Sequence, residues 1–262
     1  MNTLDVGIIQ LDTKWENPEE NQKKIEEILS QNKCKLDLVV LPEMFLTGFS
    51  CENVDISQEN SQKSLNWIKE FARSQKIHFM GSLKFRDQNN LIRNRLFLVA
   101  PDGETQHYDK RHLFPLSAER ENLKAGDEIN VFHLSNWKIL PQICYDLRFP
   151  VWARNTTNYD VLINVANWPT TRRDAWKTLI RARAIENQAY SVGVNRIGRD
   201  AAGLTYTGDS IIIDPLGNEI LQCGNIEGLF KVTLEKNSIS EIRSTFPFLK
   251  DMDNFTLKVT HE

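Results

Sequence analysis

A thiol, a carboxylate and an ammonium make an acyl-transfer site when they meet. This chain offers one of each where an element is expected to stop. Cys144 ends the apolar run WKILPQI, residues 137–143. Glu43 follows the short aliphatic run 36–41 in LPEMF, and Lys110 follows the expected strand 104–108 in YDKRHLF. Clefts in open α/β sheets form beyond the carboxyl ends of strands. A free thiol is a few per cent thiolate at neutral pH, with a pKa near ~8.5, so it needs a base. A carboxylate can take that proton, return it to a departing amine and then activate water. An ammonium can stabilise the thiolate and the oxyanion of a tetrahedral intermediate.

Spacing alone does not separate this reading from a plainer one. A lone cysteine in a strand-rich chain is commonly core. A Glu after a strand is commonly a turn or cap residue, and a Lys inside the charged run 109–112 is commonly solvated. The 262 residues suffice for one domain with a large core. Net charge is −3, from 32 basic and 35 acidic residues, which points to neither nucleic acid nor an anionic membrane as partner. No segment approaches the ~20 apolar residues of a bilayer span. The opening MNTLDVGIIQLD reads as a strand rather than a signal peptide. Cysteines at 34, 51, 144 and 223 form no C-x-x-C pair, so a zinc site or disulfide framework is not expected and a cytoplasmic setting is. Histidines at 78, 107, 112, 133 and 261 show no metal-ligand spacing, and no Gly-rich phosphate loop is present. No cofactor is expected.

The elements that must position the three residues alternate early. Strands are expected at 4–10, 36–41 and 77–83, with helices at 17–33 and 61–74. Asn17–Pro18 supplies a cap and a first-turn proline, and Leu65, Ile68 and Ala72 share one stripe. A hairpin follows at 95–108, turning at Pro101–Asp102–Gly103. A second at 210–222 turns at Asp214–Pro215–Leu216–Gly217. Strands 137–143, 160–165, 190–195 and 230–234 and a helix at 171–188 complete the set. Helices between strands, interrupted twice by hairpins, argue for α/β with mixed sheets in two similar halves.

LPEMFLTGF, YDKRHLF and ICYDLRFPVWAR together resemble the three signatures of the nitrilase superfamily of carbon–nitrogen hydrolases. The resemblance runs from the first strand to about residue 235, with residues 236–262 as a tail of one domain. It implies a four-layer αββα sandwich and a Glu–Lys–Cys triad: Glu43 as general base, Lys110 as oxyanion stabiliser, Cys144 as nucleophile. It also implies a second acid after the lysine. Of the two in SAERE, counting back from Lys124–Ala125–Gly126 favours Glu119 over Glu121. Tyr145 would supply a backbone N–H to the oxyanion. Asn167 and Trp168, in ANWPTTRRDAWKTLIRARAIENQAY, fall on the family's binding loop, with Trp168 a wall of the pocket. Arg181, Arg183 and Glu186 on the following helix are read as structural or as part of a homodimer interface.

The wording of these motifs is most similar to the bacterial omega-amidase branch. That implies hydrolysis of 2-oxoglutaramate or 2-oxosuccinamate, in metabolite repair or methionine salvage. Such a substrate needs a cation for its carboxylate. Arg172 and Arg173 are the candidates, with Arg172 favoured. Phe45, Phe49, Phe114, Tyr145 and Trp168 could exclude water. The alternatives are another amidase or a nitrilase on the same triad, a non-catalytic binding scaffold, and a Cys–His hydrolase using His107 or His112.

Overall fold

The computed structural model describes residues 1–258. In chain order the strands are β1 (Thr3–Gln10), β2 (Leu38–Val40), β3 (His78–Arg86), β4 (Ile92–Val99), β5 (Thr105–Asp109), β6 (Phe132–Leu134), β7 (Trp137–Ile143), β8 (Val161–Ala166), β9 (Tyr190–Asn195), β10 (Ile197–Arg199), β11 (Thr205–Thr207), β12 (Ile211–Ile213), β13 (Glu219–Gln222) and β14 (Gly228–Glu235). The α-helices are α1 (Pro18–Ser30), α2 (Gln58–Gln75), α3 (Glu119–Asn122), α4 (Pro150–Ala153), α5 (Arg173–Asn187) and α6 (Lys236–Thr245).

Two six-stranded sheets carry the fold, ordered β14-β1-β2-β3-β4-β5 and β6-β7-β8-β9-β12-β13, and β10–β11 is a separate ribbon. Across the first sheet the pairings run antiparallel, parallel, parallel, antiparallel, antiparallel. Across the second they run in the same sequence. The two halves therefore share one topology, as the two hairpins suggested. Gly103 and Gly217 hold equivalent corners, at φ 93° and 92°, which an L side chain rarely adopts.

Side-chain alternation sorts each strand between two apolar layers. Leu4, Val6, Ile8, Leu38, Val40, Met80, Leu96 and Leu98 face Ile139, Ile143, Val161, Ile163, Val165, Val192 and Val194 between the sheets. On the outer face of the first sheet, Ile25 and Leu29 of α1 and Leu65, Ile68, Phe71 and Ala72 of α2 pack on Val39, Phe79, Phe97 and Val99. On the other side, Trp176, Ile180 and Ala184 of α5 cover Ile211 and Ile213. This is the four-layer αββα sandwich with two mixed sheets.

Boundaries differ locally from the sequence expectation, for physical reasons. α1 stops at Ser30 because the Asn32 side chain donates to the Ile28 carbonyl, 2.7 Å away, satisfying a helix-end acceptor. α2 starts three residues before 61 because Ser57 Oγ accepts from Asn60 N at 2.9 Å. β6, β10 and β11 were not expected; each has three residues, too few to display a period. The tail holds α6 and a 3-10 turn at Phe248–Asp251. His261, one of the histidines considered as a ligand, lies outside the described residues.

α5 can lie this close to its sheet because Gly193 has no side chain. A Cβ there would stand 2.7 Å from Trp176 and 2.9 Å from Ile180. We therefore expect Gly193→Ala to lower unfolding free energy by about 1–3 kcal/mol through overpacking, read from urea midpoints. An unchanged midpoint would mean that α5 moves freely on the sheet.

Candidate active site

The layer between the sheets changes chemistry at one end while its alternation continues. β4 presents Leu98, Leu96 and then Asn94. β3 presents Met80, then Ser82 and Lys84. Beyond Tyr108 the same phase of β5 reaches Lys110, and beyond Val165 that of β8 reaches Asn167. All these polar residues are buried. Burying them without partners would cost several kcal/mol each, so they must satisfy one another.

Lys84 does so with Ser50, Asn53 and Glu16; the others do so around Lys110, whose side chain is fully buried. Its Nζ donates to Glu43 Oε1 at 2.8 Å and to both oxygens of Glu119 at 2.9 and 2.8 Å. The Phe49 ring lies 5.2 Å from the ammonium. Asn94 bridges the two acids, its amide donating to Glu43 at 2.8 Å and to Glu119 at 2.9 Å. Ser82 fixes which way that amide points: its hydroxyl donates to Asn94 Oδ1 and accepts from Met44 N, each at 2.9 Å. Phe114 N completes Glu119 at 2.7 Å. The second oxygen of Glu43 accepts from Asn167 N at 2.9 Å, and the Asn167 amide donates to the Glu43 carbonyl at 2.8 Å.

Burial opposes the charge of Lys110, but Glu119 and Glu43 outweigh it and hold the ammonium well above its usual pKa. Burial pushes the Glu119 carboxyl up, with Lys110 opposing and Glu43 adding to the rise.

Cys144 lies across this cluster. It opens a 3-10 turn, Cys144–Arg148, directly after β7, with φ 46°. That left-handed backbone turns the thiol out of the strand direction, towards the Asn167 carbonyl 3.9 Å away. Burial raises the thiol pKa well above its ordinary value; Glu43 adds to this and Lys110 opposes it. The cysteine therefore rests protonated at neutral pH. Tyr145 sits in the first turn of the same helix, where backbone N–H groups have no partner inside the helix.

The thiol opens into a cavity of about 160 Å³, walled by Phe49, Phe114, Tyr145 and Trp168. Its size is below the ~300–1,000 Å³ of sites for drug-sized ligands, so it suits a short molecule. Trp168 is held by Asn195 Oδ1 accepting from its N at 2.8 Å and by its indole N–H donating to the Arg172 carbonyl at 2.8 Å.

Arg172 lines the cavity, its guanidinium 5.3 Å from the Phe114 ring centroid. Arg173 does not line it; that guanidinium forks onto Asp209 at 2.7 and 3.1 Å. Glu119 is buried in the cluster whereas Glu121 is exposed. Phe45 lies in the core beneath the first sheet rather than in the cavity wall. Arg183 is buried, donating to the Leu147 carbonyl at 2.6 Å and to Glu186 at 2.9 Å. His112 faces Asp146 and Phe149 outside the cavity, and His107 sits on β5 beside Phe97.

Three contributors were missed. Asn94 is a polar residue in the apolar phase Ile92, Leu96, Leu98, a signal that was legible. Arg148, four residues after Cys144, lines the cavity 4.9 Å over Trp168. Among the described residues, neither Arg148 nor Arg172 has an acidic partner for its guanidinium. The ribbon β10–β11 adds Asp200, Leu204 and Tyr206 to the rim. Among the described residues no group of three or more His, Cys, Asp or Glu could hold a metal ion.

Removing the ammonium would strand two buried acids side by side. We expect Lys110→Met to cost about 3–5 kcal/mol at neutral pH, as for breaking a buried ion pair. Without the cation the Glu119 carboxyl, already pushed up by burial, rises further. The penalty should therefore grow as pH rises through that raised value and shrink at acid pH, where protonation removes the repulsion. Urea unfolding at several pH values checks this; a penalty independent of pH would contradict it.

The sequence profile of the family Carbon-nitrogen hydrolase matches residues 5–244. The chain is 38% identical to omega-amidase YafV of Yersinia enterocolitica over 98% of its length and all of that protein's. It is 34% identical to 2-oxoglutaramate amidase of Bacillus subtilis (strain 168), over 94% of this chain and 96% of the other. The crystal structure of XC1258 from Xanthomonas campestris, a CN-hydrolase superfamily protein with an arsenic adduct in its active site, superposes with a TM-score of 0.94 at 38% identity. It covers 98% of this chain and 100% of that one. The chain belongs to the carbon–nitrogen hydrolase family, the nitrilase superfamily, and is close kin to its omega-amidases.

Proposed function

We propose that this carbon–nitrogen hydrolase removes the terminal amide of a short 2-oxo acid amide, 2-oxoglutaramate or 2-oxosuccinamate, giving the dicarboxylate and ammonia. One observation carries the reading: a thiol lining a small aromatic cavity, with a buried carboxylate–ammonium cluster on one side and, at its walls, two guanidinium groups that have no acidic partner among the described residues.

Cys144 attacks the amide carbon as Glu43 takes its proton. The carbonyl oxygen becomes an oxyanion beside the Lys110 ammonium and the Tyr145 N–H. One such donor contributes about 10²–10³ in rate. Glu43 then gives the proton to the departing nitrogen, ammonia leaves and a thioester remains on Cys144. Water, deprotonated by Glu43, adds to the thioester; the sulfur leaves and recovers the proton. Glu119 keeps Lys110 charged and, through Asn94, keeps Glu43 aimed. Arg172, with Arg148 lining the same cavity, takes the substrate carboxylate, and the aromatic walls limit chain length. A nitrile would meet the same thiol, so substrate range separates this reading from a nitrilase. The placement of His112 outside the cavity disfavours a Cys–His pair.

We propose further that the enzyme works in the cytoplasm, in salvage of transamination products, as a homodimer through the face of α5 that bears Arg181. The support for the dimer is apolar: Ile185 and Leu216 are half exposed beside each other, with Gly217 seated on Ile185. Light scattering should give twice the chain mass, and a monomer at micromolar concentration would contradict it.

Ammonia release from a panel of 2-oxo acid amides, glutamine, asparagine, simple amides and nitriles tests the substrate. The 2-oxo acid amides should lead. Cys144→Ala should fold and lose about 10⁴-fold or more. Arg172→Gln should raise KM for the 2-oxo acid amides more than for neutral amides. Preference for a nitrile, or equal KM changes, would contradict the assignment.

A further inference from the structure

Asp146 stands two residues beyond the thiol and is fully buried, yet it takes no part in the chemistry above. Four donors converge on its carboxylate. Oδ1 accepts from His112 N at 2.9 Å and pairs with His112 Nδ1 at 2.8 Å. Oδ2 accepts from Tyr108 OH at 2.8 Å and from Ile143 N at 3.1 Å. Facing a carboxylate acceptor, His112 Nδ1 carries the proton.

These donors come from two places. Tyr108 and His112 bracket Lys110 on the first sheet. Ile143 precedes Cys144 on the second, and Asp146 itself follows it. Lys110 and Cys144 thus stand on separate sheets, and the carboxylate ties the residues on either side of one to the residues around the other. Its hold on Ile143 N fixes the residue before the left-handed Cys144, a conformation that persists only when its surroundings over-determine it.

The donors are themselves held. Trp152 Nε1 donates to Tyr108 OH at 3.0 Å, and Arg111 N donates to it at 3.3 Å. The His112 ring stacks on Phe149 with centroids 3.6 Å apart and meets Trp152 edge-on. Burial and the neighbouring Asp146 charge keep the Tyr108 hydroxyl protonated and so a donor.

We infer that Asp146 is a positioning residue: it clamps the Lys110 loop to the Cys144 turn and so sets the ammonium at its working distance from the sulfur. The inference rests on the reading of Cys144 as nucleophile and Lys110 as its electrostatic partner. His112 serves the clamp and not the proton transfer.

The test uses the full-length enzyme, with Asp146→Asn and Tyr108→Phe beside wild type. Iodoacetamide alkylation of Cys144 is followed across pH by peptide mass, and kcat and KM are measured on the best amide of the panel. Asp146→Asn swaps an acceptor oxygen for an NH₂ that opposes two of the donors. Misplacement on the ångström scale costs about 10²-fold. We expect Asp146→Asn to lower kcat by about that factor with KM within threefold, and to move the alkylation midpoint to higher pH. Tyr108→Phe, which leaves three donors, should lower kcat by about fivefold and move the midpoint the same way.

Should Asp146→Asn fail to fold, Tyr108→Phe decides alone. Wild-type kcat and alkylation in the folded variants would overturn the clamp. So would a His112→Ala enzyme as inert as Cys144→Ala while Tyr108→Phe keeps wild-type rates, because that pattern belongs to a proton relay. A panel in which no amide is hydrolysed sinks the functional reading, while the alkylation profiles still decide the clamp.

Discussion

An ammonium buried between two carboxylates is the constraint on which the rest of the site depends. Lys110 reaches Glu43 and Glu119 at hydrogen-bond distance with no exposure to solvent. Charges in that position are tolerable only when each is paired and its remaining lone pairs are occupied. The surroundings supply this: Asn94 spans the acids, Ser82 orients Asn94, and Phe114 N and Asn167 N close the last acceptors. The cluster leaves Glu43 beside Asn167, whose carbonyl receives the thiol. Charge balance and catalytic aim are therefore one arrangement.

The fold explains why such a cluster can be built from residues far apart in the chain. Both sheets run the same sequence of pairings, so their strand ends open at matching places. β3, β4, β5 and β8 keep their alternation to the end of the inter-sheet layer, where side chains pass from apolar to polar. The hydrophobic layer fixes the backbones, and the polar ends inherit that precision. Sites on strand ends are held more tightly than sites on free loops. The cavity beyond them draws on looser segments, including the ribbon β10–β11 and the residues around Leu116, and these shape what enters.

Much of this was legible in the chain. The two corner glycines, the capped helices and the period-2 runs indicated mixed sheets in two similar halves. The signatures around residues 43, 110 and 144 identified the side chains that the structure gathers. What stayed hidden had physical reasons. Three-residue strands such as β6 show no period. The resemblance favoured Glu119, but residue chemistry alone did not, because Glu119 and Glu121 sit on a single helical turn and only packing separates the buried acid from the exposed one. Arg172 was favoured over its neighbour Arg173, but the reason was not visible: it is Asp209, 36 positions beyond Arg173, that holds Arg173 away from the cavity. Asn94 could have been found as a polar residue in an apolar phase. Asp146 and Arg148 were in plain view inside ICYDLRFPVWAR, but a motif read as a signature conceals what its individual members do.

The most direct measurement is the fate of the Cys144 sulfur during turnover. The enzyme is mixed with a 2-oxo acid amide, quenched with acid within milliseconds to seconds, and digested for mass spectrometry. The account predicts an acyl group on the Cys144 peptide, with the mass of the substrate less ammonia, formed as fast as the first ammonia is released. Steady ammonia release with an unmodified Cys144 peptide at every time point would contradict it.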